Sequence, residues 1–249
     1  MSLINVFLSP SQALIGVDTE AVNHRTGEFM VANKMIHLAH LNVVMAGRGT
    51  QGFLLVLFTM ASQIQVEDFD SLANVMPLTI EGAYNAIGAH KAGDPDLHFS
   101  DEQEIVLAGW SALHGRMRAV CYRRNSPAHE IEIIEIEDPG YMMPWSDKWG
   151  EPPEGDGRRG MFDLALAQTK NAKRESPGVA MGGRLLIAEL MRGGMSFTSI
   201  DGLTVEENEH DGVLTFSVAE LQALSAGNVG ADLADKMRRA GGVQRAEAI

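Results

Sequence analysis

The sequence predicts an α+β fold of antiparallel sheets stacked with helices outside. Three features carry that expectation. The first 47 residues alternate short apolar runs with turn residues, two long helical stretches follow, and a second set of apolar runs is then interrupted by a further helix. Strands, helices, strands and helices in that order suit stacked layers rather than a parallel sheet with regular crossovers.

Strands are expected at Leu3–Leu8, Ala13–Asp18, Phe29–Leu38 and Leu41–Ala46. Ser9-Pro10-Ser11 separates the first two and Asn23-His24-Arg25-Thr26-Gly27 the next, both rich in residues that favour turns. Neighbours so close in sequence pair antiparallel, so residues 1–47 read as one meander. The first strand is apolar on both faces, with Ile4, Val6 and Leu8 on one and Leu3 and Phe7 on the other, so a layer should cover each side.

Helical stretches are expected at Thr50–Ile64 and Asp70–Lys91, then strands at Glu104–Gly109, Arg116–Arg123 and Glu130–Glu137. Pro139–Gly160 reads as an acidic surface loop, Met161–Lys173 as a helix and Gly183–Met191 as a central strand. Gly212–Phe216 suggests a late strand, and Ser217-Val218-Ala219-Glu220 fits a capping box opening a C-terminal helix. The division expected is one domain over residues 1–195, with 196–249 a strand and helix extension packed on it.

Composition narrows the function. Apolar residues make up 45% and charged residues 21%, and no apolar run reaches the roughly 18 residues of a membrane span. The first residues lack the basic and apolar pattern of a secretory signal, and a lone cysteine, Cys121, fits a reducing compartment, so a cytoplasmic location is expected. A net charge of −13 opposes nucleic-acid binding, which requires cations against phosphates. His37 and His40 are not spaced to share a strand face and His129-Glu130 is isolated, so no metal and no cofactor is expected.

The amino terminus carries the chemistry. If Pro10 centres the first turn, partners sum to about 20 and Ser2 lies opposite Asp18; if Thr26 centres the second, partners sum to about 52 and Asp18 faces Lys34. Opposed residues share a sheet face, so this register aligns Ser2, Asp18 and Lys34, and a slip of one residue would move the set to the other face. Serine needs a base, which a free α-amine can supply once Met1 is removed. Methionine before a small residue is a usual substrate for that removal. Lys34 would lower the hydroxyl's pKa and Asp18 would hold Lys34 in place.

These residues resemble the proteasome β-subunit family of N-terminal nucleophile (Ntn) hydrolases. In that family a catalytic threonine, an aspartate and a lysine stand 16 positions apart, and here 18 − 2 and 34 − 18 are both 16. The family's Ala-Gly, whose glycine amide helps form an oxyanion hole, is matched by Ala46-Gly47, one residue closer to the lysine than usual. Lys173-Arg174-Glu175-Ser176, then Gly182-Gly183 and an apolar strand, is similar to the family's Asp-Ser segment, glycine pair and strand.

The likeness covers about residues 2–191 and implies a four-layer αββα sandwich, often assembled in rings as a homo-oligomer. It implies a threonine- or serine-type peptidase or amidohydrolase acting on a peptide or amide substrate. Ser2, Asp18, Lys34 and Gly47 would form the site, with Glu175 and Ser176 supporting it. The chain departs from the family in its serine nucleophile and in Glu20, where an arginine is usual. It also has a longer interval before the glycine pair and no Ser-Gly-Ser loop. Those departures suit an alternative, a catalytically inactive Ntn-fold assembly subunit.

A third reading comes from Gly47-Arg48-Gly49-Thr50-Gln51-Gly52, which matches G-x-G-x-x-G between an expected strand and helix. Glu67, near the end of a possible strand at Gln63–Val66, would meet a ribose, making Gly47, Gly49 and Gly52 a dinucleotide cradle. An antiparallel meander ahead of it ranks that reading last.

Overall fold

A computed structural model describes residues 2–23, 25–93, 102–125, 130–137, 140–155, 157–203 and 213–217. Its strands are β1 (Ile4–Leu8), β2 (Gln12–Asp18), β3 (Glu20–Val22), β4 (Phe29–Val31), β5 (Met35–Leu38), β6 (Val43–Arg48), β7 (Gln103–Ser111), β8 (Arg116–Arg124), β9 (Glu132–Ile136), β10 (Gly140–Met143), β11 (Leu185–Met191), β12 (Gly194–Ile200) and β13 (Val213–Ser217). Helices α1 (Gln51–Ser62) and α2 (Phe69–Gly93) follow β6, and α3 (Gly157–Glu175) precedes β11.

The strands form one sheet ordered β10-β1-β2-β11-β12-β13, a second ordered β5-β6-β7-β8-β9, and a separate β3-β4 hairpin. The β1–β2, β2–β11 and β5–β6 pairings are all antiparallel. Apolar alternation builds three cores between four layers. Ile4, Val6, Leu8, Ile15 and Val17 of the first sheet meet Met35, Val44, Ala46 and Val106 of the second. On the outer face of the first sheet, Leu3, Leu14, Leu185 and Ile187 pack on Met161, Phe162 and Ala165 of α3. Met45, Ile105 and Leu107 of the second pack on Phe53, Leu57, Leu72 and Met76 of α1 and α2. This is the αββα sandwich, and it explains why β1 is apolar on both faces.

The expected meander is split between the sheets. After β2 the chain leaves the first sheet through the β3-β4 hairpin, and the stretch expected as a single strand, Phe29–Leu38, breaks into β4 and β5. β5 then opens the second sheet, and the neighbour of β2 opposite β1 is β11, with Leu185 facing Asp18. The loop expected at Pro139–Gly160 contributes an edge strand, β10, whose Gly140 lies so close to β1 that a Cβ would sit 1.9 Å from the Val6 carbonyl oxygen. β12 was not foreseen. It spans the division expected at residue 195, and β13 continues the same sheet. The capping box at Ser217–Glu220 and the helix expected after it lie outside the described residues, Ser217 apart.

Pro77 interrupts α2 and cannot donate to the Ala73 carbonyl four residues back. The Tyr122 hydroxyl supplies the missing donor, at 2.8 Å from Ala73 O. Among the described residues, no helix is long and apolar enough to cross a membrane.

Candidate active site

The two expected turn registers are each displaced by one. Ser9 N–H donates to the Gln12 carbonyl at 2.9 Å, closing a four-residue turn centred between Pro10 and Ser11 rather than on Pro10. Partners therefore sum to 21, as in Ile4 with Val17. In the hairpin after β2, Glu20 faces Val31, a sum of 51. Asp18 stands opposite Leu3 rather than Ser2, and Lys34 lies between β4 and β5, outside the strands.

Asp18 and Lys34 nevertheless meet. Asp18 ends β2 in the first sheet and Lys34 begins the run into the second, so their contact bridges the two sheets at one end of the sandwich. The Lys34 ammonium donates to Asp18 Oδ1 at 2.9 Å and to the Glu20 carbonyl at 2.5 Å. Lys34 is 3% exposed and Asp18 fully buried. Leu3 N–H also donates to Asp18 Oδ1, at 3.0 Å, and Gly182 N–H donates to Oδ2 at 3.2 Å. The half-buried Ser2 is thus one residue from the amide that the carboxylate holds.

Burial dominates the electrostatics of the pair. It pushes the Asp18 carboxyl up from the ordinary range, opposed by Lys34 and by the amides of Leu3 and Gly182. It pushes the Lys34 ammonium down, opposed by Asp18 and then by Glu20. A lysine so placed gives up its proton more readily than one in water.

The glycine pair joins this arrangement. Gly182 and Gly183 have φ of +151° and +74°, which L side chains rarely adopt, so the chain can turn tightly beneath Asp18. Thr19 N–H donates to the carbonyls of Gly182 and Arg184, Glu20 N–H donates to the Gly182 carbonyl, and Arg184 N–H donates to Thr19 Oγ1. The end of β2 is thereby locked against the turn before β11.

Gly47 has a different engagement from the one expected. Its N–H donates to the Lys34 carbonyl at 2.8 Å, extending the β5–β6 ladder by one pair. The glycine is also needed for packing, because a Cβ there would lie 2.3 Å from Leu54 of α1.

Glu175 and Ser176 are exposed at the C-terminal end of α3. Ser176 N–H donates to the Ala172 carbonyl and its own carbonyl accepts from Val179, and neither residue has a described contact with Asp18 or Lys34. The residue of that segment that does approach the site is Lys173, 3.7 Å from Glu20 Oε1. The sequence marks Glu20 as a departure from the family's arginine but not its partner Lys173, which opens the Lys173-Arg174-Glu175-Ser176 run from which the resemblance carries over only Glu175 and Ser176.

The dinucleotide reading is overturned. Residues 63–66 are not a strand, Glu67 lies in the connection between α1 and α2, and β6 pairs antiparallel with β7. Between Gly47 and Glu67 runs α1, 12 residues and about 18 Å long at roughly 1.5 Å per residue. Among the described residues no group of three His, Cys, Asp or Glu side chains could hold a metal.

No protein-family model and no curated protein sequence matches the chain. Solved structures do. A mutant of Anbu from Hyphomicrobium sp. strain MC1 superposes with a TM-score of 0.53 at 14% identity, covering 97% of each chain. Anbu, described as an ancestral beta-subunit, from Yersinia bercovieri superposes with a TM-score of 0.52 at 11% identity, covering 90% of this chain and 91% of that one. At such identity the likeness is one of fold: the described residues share the Ntn-like αββα layering.

Proposed function

We propose that the protein is a proteasome-like N-terminal nucleophile hydrolase that cleaves amide or peptide bonds with Ser2 after Met1 is removed. The observation that carries the reading is the buried Asp18–Lys34 pair, held against the amide of Leu3 directly behind Ser2. In this chemistry Ser2 Oγ attacks the substrate carbonyl while the α-amine of Ser2 takes the hydroxyl proton. The amine passes that proton to the leaving nitrogen, leaving an ester that water hydrolyses. The Lys34 ammonium stabilises the developing alkoxide and Asp18 keeps Lys34 in place. Gly47 N–H is given to the Lys34 carbonyl, so an oxyanion would have to share that donor.

That shared amide favours a second reading, an inactive Ntn-fold subunit whose Asp18–Lys34 pair only fastens the two sheets. In either case the protein is proposed to act as a homo-oligomer, ring-shaped by resemblance. Phe29, Met30 and Val31 of β4 support assembly, being 58%, 46% and 80% exposed.

The two readings separate on one measurement. Protein beginning at Ser2, confirmed by intact mass, is incubated with a peptide vinyl sulfone and weighed again. A single adduct on Ser2, lost in Ser2→Ala, is expected of the hydrolase. A chain that keeps Met1 in its native host, or labelling unchanged in Ser2→Ala, rules the hydrolase out.

A further inference from the structure

Glu20 is held beside Lys34 by its own backbone, because its carbonyl accepts from the Lys34 ammonium at 2.5 Å. Its side chain turns the other way, toward α3. There Oε1 is buried without a hydrogen-bond partner and Lys173 Nζ stands 3.7 Å away. Gly182 lies between the two. A Cβ at that position would come within 3.0 Å of Glu20 Oε2 and 3.2 Å of Lys173 Nζ, so the missing side chain is what leaves room for the pair. The same glycine gives its N–H to Asp18 and its carbonyl to the Glu20 amide. Four charges therefore follow one another through the site: Lys173, Glu20, Lys34 and Asp18.

We infer that Lys173 is a positioning residue for the site, setting through Glu20 how firmly Lys34 holds its positive charge. Glu20 favours the ammonium form of Lys34. Lys173 offsets part of that negative charge from the last turn of α3, where a cation also suits the helix dipole. Among the described residues the other charged group facing Lys34 is Asp18 from β2. Arg48 of β6 is engaged with Glu104, and Arg184, beside the glycine turn, with Asp201. The alkyl stem of Lys173 is half-buried, so its charge acts in a partly desolvated setting where Coulomb interactions are stronger than in water.

The role of Lys173 in catalysis rests on the hydrolase reading, but its effect on Lys34 does not, and the test keeps them apart. The full chain is labelled with lysine bearing ¹³C at Cε, Lys34 is assigned by its loss in Lys34→Met, and its titration is followed by NMR. Glu20→Gln should lower the Lys34 midpoint and Lys173→Met should raise it, each by about one pH unit. Lys173→Arg, which keeps the charge, should leave it in place. The vinyl sulfone labelling rate against pH should shift with the same opposite signs.

A structural role would instead move Glu20→Gln and Lys173→Met in one direction, or leave both midpoints at the wild-type value. Either result overturns the inference. Midpoints that move oppositely in a protein that vinyl sulfone never labels uphold the electrostatic coupling and remove the hydrolase.

Discussion

Lys34→Met deletes a single charge from the centre of the site. Methionine keeps most of the stem in a slot that is 3% exposed and removes the ammonium 2.9 Å from Asp18 Oδ1. The carboxylate is then left fully buried with the amides of Leu3 and Gly182 as its donors. Breaking a buried pair by removing one partner costs about 3–5 kcal/mol, and the two retained amides place this variant near the lower figure, about 3 kcal/mol. At about 2–4 °C per kcal/mol for a chain of this size, its Tm should fall by roughly 6–12 °C.

Asp18→Asn should cost more. The carboxylate uses both oxygens, so a single amide oxygen cannot serve Leu3 and Gly182 together, and the buried ammonium loses its counter-charge. Combining Asp18→Asn with Lys34→Met removes both charges and should cost about 1–3 kcal/mol less than the two single losses added. Urea unfolding followed by circular dichroism at neutral pH measures all three. Lys34→Met within about 0.5 kcal/mol of wild type, or a double variant that is simply additive, would refute a tight buried contact.

Three further outcomes follow from the same geometry. Tyr122→Phe leaves the Ala73 carbonyl opposite Pro77 without a donor and should cost about 1–3 kcal/mol in the urea assay, whereas a neutral result would mean that another donor reaches that carbonyl. The His37 ring stacks edge-on to Phe197 with a buried, unpartnered Nε2, and burial lowers its pKa below the ordinary 6.5. Between the folded value and the unfolded one the unfolded chain binds more protons, so this contribution is present in full above the unfolded pKa and is lost as pH falls through the folded one. His37→Leu should accordingly flatten the fall in stability as pH drops below the ordinary histidine value of 6.5. Cys121 is wholly buried and its thiol is pushed up to about 11 by burial, so iodoacetamide should modify it in urea but not in the native protein.

How much of this was legible in the sequence depends on what each signal encodes. A layer on each side of β1 was, because alternation assigns Ile4, Val6 and Leu8 to one face and Leu3 and Phe7 to the other whatever the strand pairs with; the four-layer αββα order came from the family resemblance. The Asp18–Lys34 contact was also legible, but through spacing rather than through the register invoked to explain it. Two displacements of one residue, each set by turn length, are invisible to apolar patterning because they change which residues face each other without changing which are apolar. β10 escaped because its docking depends on Gly140 approaching the Val6 carbonyl, a tertiary fit within a stretch whose prolines, glycines and acids read as loop. β12 escaped because Gly194 to Ile200 mixes small polar and apolar residues at a sheet position that only β11 and β13 define.

The Glu20–Lys173 pair was the least legible because its partners are 153 residues apart in the chain, as 173 − 20 shows, and no periodicity joins them. Yet it bears on whether the Asp18–Lys34 contact is only a fastener or also the reactive site proposed above. A buried ion pair with nothing else beside it is held by its own attraction and resists change in either charge. Here the ammonium is shared between a carboxylate in the first sheet and a backbone carbonyl in the hairpin, and the residue supplying that carbonyl carries a second charge balanced from α3. The proton on Lys34 thus answers to groups on three separate elements. That is more than joining two sheets requires, and it suits the hydrolase proposed above, in which the charge on Lys34 is adjusted for chemistry at Ser2.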